Sequence, residues 1–118
     1  MSKSLVIGGA NGIGLAIAIE LAKAEASTVV IIDRVEPEIE LPVNIIYEYG
    51  NLLDRNLSLL DKHNDADGVV FTAGFGRVAP FETIIEPEIY NQFQVNAISP
   101  VSVLRYFYPR LKEDKSFY

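Results

Sequence analysis

The sequence contains no cysteine and a single histidine. Without cysteine the chain has no disulfides, thiol nucleophiles or thiolate metal sites, and this usage fits a reducing compartment. The one histidine, His63, lies in the polar stretch DKHNDAD with Asp61, Asp65 and Asp67 nearby. A lone imidazole among scattered carboxylates is more typical of a solvated helix end than of a metal site, so we expect no bound metal.

Basic charge is also scarce, with 10 Lys+Arg against 16 Asp+Glu and a formal net charge of -6. Such a chain offers no basic surface to a phosphate backbone, so we expect no nucleic-acid partner. No apolar run approaches the roughly 20 residues that a membrane span needs. The apolar run in MSKSLVIGGANG is broken at once by glycines, unlike a signal peptide. We therefore expect a cytoplasmic protein without membrane contact.

The chain does have ample apolar residues, 49% of its 118 positions, which suits one ordinary domain. Apolar runs at 4–7, 28–33, 43–49 and 67–74 predict strands, and helical spacing predicts helices at 12–24, 52–62 and 86–111. This order predicts an α/β fold, a Rossmann-type doubly wound parallel sheet ordered 3-2-1-4 with flanking helices. The first helix is expected to carry one apolar face, formed by Ile13, Ala16, Ile17 and Leu21.

The fourth predicted strand shows no polar alternation, which indicates burial with neighbours on both edges. Its outer neighbour would be a fifth strand, and the sequence reaches KSFY where that strand would begin. The sheet predicted from residues 1–118 is therefore incomplete. We expect these residues to form the N-terminal, NAD(P)-binding portion of a larger single domain.

Three glycines, Gly8, Gly12 and Gly14, have the spacing G-x-x-x-G-x-G between a strand and a helix. The first permits a tight turn, the second lets the backbone approach a pyrophosphate, and the third allows close packing of the helix on the strand. Free N–H groups at the helix start favour an anion. Asn11 is placed to brace the loop through its amide. A purely structural turn is the alternative.

The second predicted strand ends in Asp33, about 20 residues after the glycine turn, where a carboxylate can accept hydrogen bonds from the ribose hydroxyls of NAD. The alternative is a solvated acid at a strand end. A carboxylate here repels a 2′-phosphate, so we favour NAD over NADP. Arg34 beside it could instead pair with that phosphate.

Together these residues resemble the short-chain dehydrogenases/reductases, whose glycine signature is Thr-Gly-x-x-x-Gly-x-Gly. Residues 7–14, IGGANGIG, match it with Ile7 in place of threonine. The family's Asn-Asn-Ala-Gly after strand four corresponds to FTAG, so the asparagine contacts that stabilise the central sheet are expected to be missing. The resemblance implies further cofactor contacts, at Ile13, Asn51, Leu52, Thr72, Ala73 and Gly74.

The stretch FQVNAISP resembles the family helix that carries a catalytic asparagine, which implies that the Asn96 carbonyl holds a water in a proton relay and that Val95 lies near the nicotinamide. Pro100 gives independent support, because it has no N–H to donate to the carbonyl of Asn96. The alternative is a proline-kinked packing helix. The family's helix commonly forms subunit contacts, so we also expect a homo-oligomer.

The family's catalytic serine and Tyr-x-x-x-Lys pair have no match at the expected positions. Tyr108 and Lys112 have the right spacing but fall within the last predicted helix, so we interpret them as coincidence. The resemblance covers the first half of a family member. It implies an NAD(P)-dependent oxidoreductase that transfers hydride between nicotinamide and a carbonyl or alcohol substrate. The alternatives are a nucleotide-binding module or pseudoenzyme, and an interaction protein that retains the core.

Overall fold

The computed structural model describes residues 2–111 and 116–118, so Lys112 lies outside the described residues. Its centre is a parallel sheet of five strands in the order β3-β2-β1-β4-β5. The strands are β1 Ser2–Ile7, β2 Ser27–Asp33, β3 Ile45–Tyr49, β4 Gly68–Phe71 and β5 Ser116–Phe117. The predicted order 3-2-1-4 is confirmed. A short β5 pairs with β4 at the edge where the sequence required another strand.

The core lies on both faces of β1 and β2, whose side chains alternate between two clusters. Leu5 and Ile7 face Val103 and Phe107, whereas Val6 packs with the opposite cluster. Every residue from Val29 to Ile32 is buried, as expected for a continuous β-branched strand covered by helices on both faces. This double burial fixes the strand ends, from which the loops of the candidate site emerge.

Helix α1, Gly12–Ala22, packs on the sheet through a face that shares only Leu21 with the predicted one. Its buried residues are Gly14 and Ala18, while Ile13 is 76% exposed and Ala16 is also exposed. The helix is apolar almost all round, so apolar spacing could not select the face. Gly14 selects it, because a side chain there would collide with the Gly8 carbonyl oxygen and the Thr72 hydroxyl.

The predicted helix at 52–62 is wrong for its first half, since only a 3-10 helix, η1 Ser58–His63, is present. Residues 51–57 form turns in which side-chain oxygens capture backbone N–H groups two positions ahead. These hydrogen bonds join Asn51 to Leu53, Asp54 to Asn56 and Asn56 to Ser58, at 3.0, 2.9 and 2.9 Å. Such local bonds compete with helix formation, which explains the loss.

The predicted helix at 86–111 is divided into α2 Glu86–Phe93, a π-helical turn at Gln94–Ile98, and α3 Ser99–Phe107. The turn comes immediately before Pro100, whose missing N–H interrupts the α-helical hydrogen-bond series. The Ser99 N–H donates to the Gln94 carbonyl, one residue further back than in an α-helix. Among the described residues, none of the helices is long and apolar enough to cross a membrane.

His63 is buried at 8% exposure rather than solvated as expected. Its Nε2 pairs with the Glu48 carboxylate of β3, which also accepts a hydrogen bond from Lys62 Nζ at 2.8 Å. Burial raises the pKa of Glu48, but the hydrogen bonds from Lys62 and His63 outweigh it and hold that pKa below its ordinary value. The histidine therefore ties η1 to the sheet.

Candidate functional site

A cleft of about 380 Å³ opens at the carboxyl ends of the strands. The chain order of the strands reverses between β1 and β4, and ligands of open α/β sheets bind at such a point. Ten of the residues predicted for the site line this cleft: Gly8, Asn11, Asp33, Arg34, Asn51, Leu52, Thr72, Ala73, Gly74 and Val95. The fold thus brings the predicted residues of four separate loops together at one cleft.

Glycine is favoured at Gly8, Gly12 and Gly14 of the turn for different structural reasons. Gly8 has φ +89, and a Cβ there would lie 2.5 Å from the Ala73 nitrogen. Gly14 has no room because it packs on Gly8 and Thr72. Gly12 has φ +55, but a Cβ there would meet nothing within 4 Å. Two glycines therefore serve close packing, and Gly12 leaves open space at the mouth of the turn.

The N-terminus of α1 has no side-chain cap and no acidic residue within its own first turn. Its N-cap, Asn11, is exposed and makes no side-chain capping hydrogen bond. The bracing role predicted for the Asn11 amide is therefore wrong. Uncapped N–H groups at a helix start, together with the helix dipole, suit an anionic ligand. Ile13 leaves its side chain exposed beside them.

Asp33, at the end of β2, contacts the glycine turn directly. Its Oδ2 accepts a hydrogen bond from the Ala10 N–H at 3.1 Å, and its Oδ1 accepts one from the Val35 N–H at 3.3 Å. Tyr47 donates its hydroxyl to the Asp33 backbone carbonyl at 3.1 Å. Burial, followed by the nearby Glu36 and Asp33 carboxylates, raises the pKa of this tyrosine. The neighbouring Arg34 is exposed at the cleft.

The loop after β3 closes another side of the cleft. Asn51 commits its Oδ1 to the Leu53 N–H at 3.0 Å, so its side chain shapes the loop as well as lining the cleft. The Leu52 carbonyl accepts a hydrogen bond from Gln94 Nε2 at 3.4 Å. This bond links the loop to the π-helical turn.

The loop after β4 is held by Thr72. Its N–H and the Ala73 N–H both donate to the Ile7 carbonyl, at 2.8 and 3.1 Å. The Thr72 hydroxyl lies 3.1 Å from the same oxygen and 3.2 Å from the Gly8 carbonyl. The family's asparagines are absent from residues 71–74, as expected, and the Thr72 hydroxyl makes different contacts at this point. Thr72 directly follows β4, the strand that pairs with β1, and its hydroxyl donates to the Ile7 carbonyl. Ile7 is the residue at the threonine position of the family signature.

Asn96 lies in the π-helical turn and binds the loop after β4. Its Oδ1 accepts the Phe75 N–H at 2.9 Å, and its Nδ2 donates to the Phe75 carbonyl at 2.6 Å. The preceding Val95 is buried and lines the cleft, and its carbonyl accepts the Ser99 hydroxyl at 2.6 Å. Asn96 itself lies just outside the cleft lining, as do Gly12, Ile13 and Gly14.

Sequence reasoning missed several residues that line the cleft: Ile7, Ile32, Val35, Gly50, Leu53, Phe75 and Asn91. Asn91 precedes Val95 by one helical turn, so i, i+4 spacing could have found it. A Cβ on Gly50 would lie 2.5 Å from the Ile32 side chain, which explains a glycine directly after β3. Within residues 2–111 and 116–118, no cluster of three potential metal-ligating side chains occurs.

The sheet order, the glycine turn and the cleft at the strand ends define a Rossmann-type α/β protein. Comparison with solved structures narrows this class. A short-chain dehydrogenase family protein from Francisella tularensis aligns with a TM-score of 0.85 and 25% identity, over 99% of this chain and 49% of that chain. The resemblance to the short-chain dehydrogenases/reductases is thus confirmed for the fold.

Two further structures carry nicotinamide cofactors. A short-chain dehydrogenase from Leptospira borgpetersenii with bound NAD+ aligns at TM-score 0.76 and 20% identity, over 92% of this chain and 45% of that chain. A 3-oxoacyl (acyl-carrier-protein) reductase from Agrobacterium tumefaciens with NADP bound aligns at 0.76 and 22%, over 93% and 47%. The chain spans about half the length of the solved structures it matches, an extent consistent with their N-terminal half. No protein-family model and no curated protein sequence matches it.

Proposed function

We propose that this chain supplies the dinucleotide-binding half of an NAD(P)-dependent oxidoreductase. The observation that carries the proposal is the junction of Asp33 with the glycine turn, through its 3.1 Å hydrogen bond to the Ala10 N–H. It places a carboxylate beside the uncapped start of α1, whose N-cap residue Asn11 lines the same cleft as Asp33. That pairing suits a ligand with a ribose next to a pyrophosphate.

The parts of a dinucleotide would lie in order along the cleft and the adjoining start of α1. Gly12, with open space where a side chain would lie, and the N–H groups of α1 would hold the pyrophosphate. Asp33 would accept the adenosine ribose hydroxyls, and Asn51 and Leu52 would face the adenine. On the nicotinamide side, the contacts would come from the loop after β4 and the buried face of the π-helical turn: Thr72, Ala73, Gly74 and Val95.

Asp33 also underlies our choice of NAD over NADP. A carboxylate that accepts two ribose hydroxyls disfavours a 2′-phosphate by repulsion. Arg34 is exposed and forms no ion pair in the part of the chain that the structure describes, so it is the residue that would moderate this preference. Among the compared structures one holds NAD+ and another NADP, which supports the cofactor class.

The bound cofactor would exchange hydride at nicotinamide C4 with a carbonyl or alcohol carbon. Asn96 is the one residue of this chain that we assign to the catalytic set. Its side chain is fixed on the Phe75 backbone, and Pro100 offers no N–H to its carbonyl, which leaves that carbonyl suited to hold a water. The substrate would be a small molecule, in a cytoplasmic setting.

A nucleotide-binding module without turnover is the second candidate. None of the residues found to line the cleft is a serine, tyrosine, lysine or histidine, so the described part of the chain offers no general acid of the family type there. Tyr108 is exposed on the last turn after α3 and is not part of the lining. This candidate shares the cofactor site but predicts binding without hydride transfer.

We also propose a homo-oligomer formed through α2 and α3. Large apolar side chains remain exposed along this helical region: Tyr90, Phe93, Val101, Leu104 and Tyr108. Their spacing of three to eight residues keeps several of them on neighbouring turns, and contiguous exposed apolar surface marks an interaction site. A second copy of the chain would cover it.

Titration with NADH and NADPH tests the function, using the fluorescence of the reduced nicotinamide and calorimetry of the purified chain. Saturable NADH binding that is tighter than NADPH binding supports the proposal, and absence of saturable binding to either rejects it. Incubation of the NADH-bound chain with a panel of ketones and aldehydes then tests turnover, and oxidation of NADH favours the oxidoreductase. Saturable binding without oxidation is expected both of the binding half alone and of the binding module, and the coding sequence beyond residue 118 separates these two: a Tyr-x-x-x-Lys there favours the oxidoreductase, and its absence favours the binding module.

A further inference from the structure

Thr72 occupies the point where the glycine turn, β1 and α1 meet. It is half-buried, and its hydroxyl oxygen lies 3.1 Å from the Ile7 carbonyl and 3.2 Å from the Gly8 carbonyl. A hydroxyl has one hydrogen to donate, so the two carbonyls share it or exchange it. A Cβ on Gly14 would lie 2.5 Å from the same oxygen. One side-chain atom therefore contacts all three segments.

This hydroxyl acts where the backbone changes direction. Gly8 has φ +89, so its carbonyl belongs to the first peptide that leaves the line of β1. The backbone N–H groups of Thr72 and Ala73 are already used on the Ile7 carbonyl. The Thr72 side chain is thus the hydrogen-bond donor that reaches past the strand to the turn itself.

We propose that Thr72 is a positioning residue of the dinucleotide site, which sets the glycine turn at a fixed distance from the loop after β4. This inference rests on the proposed function, because the turn and the loop are assigned to the two ends of the same cofactor. Without the hydroxyl, the Gly8 carbonyl loses its donor, and the turn and α1 can shift relative to the loop. Pyrophosphate and nicotinamide subsites would then no longer match one ligand.

Two substitutions separate the hydroxyl from the shape of the side chain. Thr72→Val keeps the branched shape and removes the donor, whereas Thr72→Ser keeps the donor and removes a methyl group. Thr83→Val is the matched control, because the Thr83 hydroxyl also donates to a backbone carbonyl, that of Pro80 at 2.7 Å, in an exposed 3-10 helix, Phe81–Thr83, outside the cleft. All three variants are made in the full chain.

The test combines the NADH dissociation constant, measured well below thermal unfolding, with amide hydrogen exchange of residues 8–14 in the ligand-free chain. We expect Thr72→Val to raise Kd about tenfold, as for loss of one hydrogen bond in a fixed site, and to speed exchange of the turn. Thr72→Ser should restore both to near the wild-type values. Thr83→Val should change neither.

A wild-type Kd in Thr72→Val, or unchanged exchange of residues 8–14, overturns the positioning role while the proposed function stands. The same Kd increase in Thr72→Ser as in Thr72→Val also overturns it, because the hydroxyl is then not the cause. Absence of saturable NADH binding to the wild-type chain overturns the proposed function, and the positioning role with it. The two failures are therefore distinguishable.

Discussion

Replacing Asp33 with alanine is the sharpest perturbation of the proposed ribose contact. The substitution removes one negative charge and two acceptor oxygens from the end of β2. It also removes the hydrogen bonds that these oxygens accept from the Ala10 and Val35 N–H groups, at 3.1 and 3.3 Å. NADH should lose its ribose acceptor, and NADPH should lose a repulsive charge. The variant is therefore expected to move the two affinities in opposite directions.

The size of the effect follows from the contacts already present. A hydrogen bond to a charged acceptor contributes about 1.5–3 kcal/mol, and two would reach higher. Both oxygens of Asp33 already accept a backbone N–H, so we expect the two ribose contacts together to contribute no more than one full bond of this kind, about 2–3 kcal/mol. That corresponds to roughly a 30- to 150-fold higher Kd for NADH. Removing one charge near a 2′-phosphate should lower the NADPH Kd by about fivefold, from about 1 kcal/mol of repulsion in a solvated cleft.

The assay is parallel titration of wild-type and variant chains with NADH and NADPH at fixed ionic strength. Asp54→Ala is the control, since Asp54 also accepts an N–H two residues ahead, at 2.9 Å, but is exposed and lies outside this cleft. It should leave the ratio of the two affinities unchanged. Unaltered NADH affinity in Asp33→Ala would refute the ribose assignment. Equal weakening of both nucleotides would instead show that Asp33 acts only by bracing the turn.

Three further predictions concern the turn, acid stability and assembly. Gly8→Ala should lower the unfolding free energy by more than about 2 kcal/mol, because its Cβ would lie 2.5 Å from the Ala73 nitrogen and φ is +89. Gly12→Ala should lower the unfolding free energy by only about 1 kcal/mol, from backbone strain, and should mainly weaken NADH binding. Because the pKa of Glu48 in the fold is lowered, this carboxylate stabilises the fold at any pH above 4.5, its ordinary pKa, and the stabilisation is lost as the pH falls through the lowered pKa. Glu48→Gln should therefore flatten the acid side of the plot of Tm against pH. Val101→Glu should reduce the oligomer mass measured by sedimentation.

Each of these has an outcome that contradicts it. Equal loss of Tm in Gly8→Ala and Gly12→Ala would show that the close approach of Ala73 is not the cause. An acid Tm profile of Glu48→Gln parallel to that of the wild type would remove the Glu48 contribution. Val43→Glu, at a fully exposed valine in a loop, is the control for assembly. An equal change of mass in both valine variants would exclude the α2–α3 face.

The strands and their order could be predicted because burial on both faces leaves a plain signal. The residues 28–33, TVVIID, give a strand and its terminal acid, and the carboxyl ends of parallel strands then gather at one edge. Ten predicted residues line one cleft for that reason. The division at 94–98 was likewise visible in Pro100, although a π-helical turn rather than a simple kink resulted.

The wrong predictions concern features set by local side-chain hydrogen bonds and by tertiary contacts, neither of which affects the spacing of apolar residues in the sequence. Leu53 and Leu57 have helical spacing, but the oxygens of Asp54 and Asn56 accept the N–H groups of Asn56 and Ser58, which a helix would bond to carbonyls four residues back. On α1, the packing face was decided by a missing side chain rather than by apolar ones. The burial of His63 depends on Glu48, a partner on a strand that is distant in sequence.

The glycine motif is weaker support for a ligand than its spacing suggests, and the structure shows which part retains force. Gly8 and Gly14 are required by contacts within the fold, with Ala73 and with Thr72, and would be needed with or without a cofactor. Gly12 is different, because nothing lies within 4 Å of the position of its Cβ and a positive φ alone also admits asparagine or aspartate. A bound ligand is therefore indicated by Gly12, the uncapped start of α1 and Asp33. Substitutions at Gly12 and Asp33 test ligand binding, whereas substitutions at Gly8 and Gly14 test only the stability of the fold.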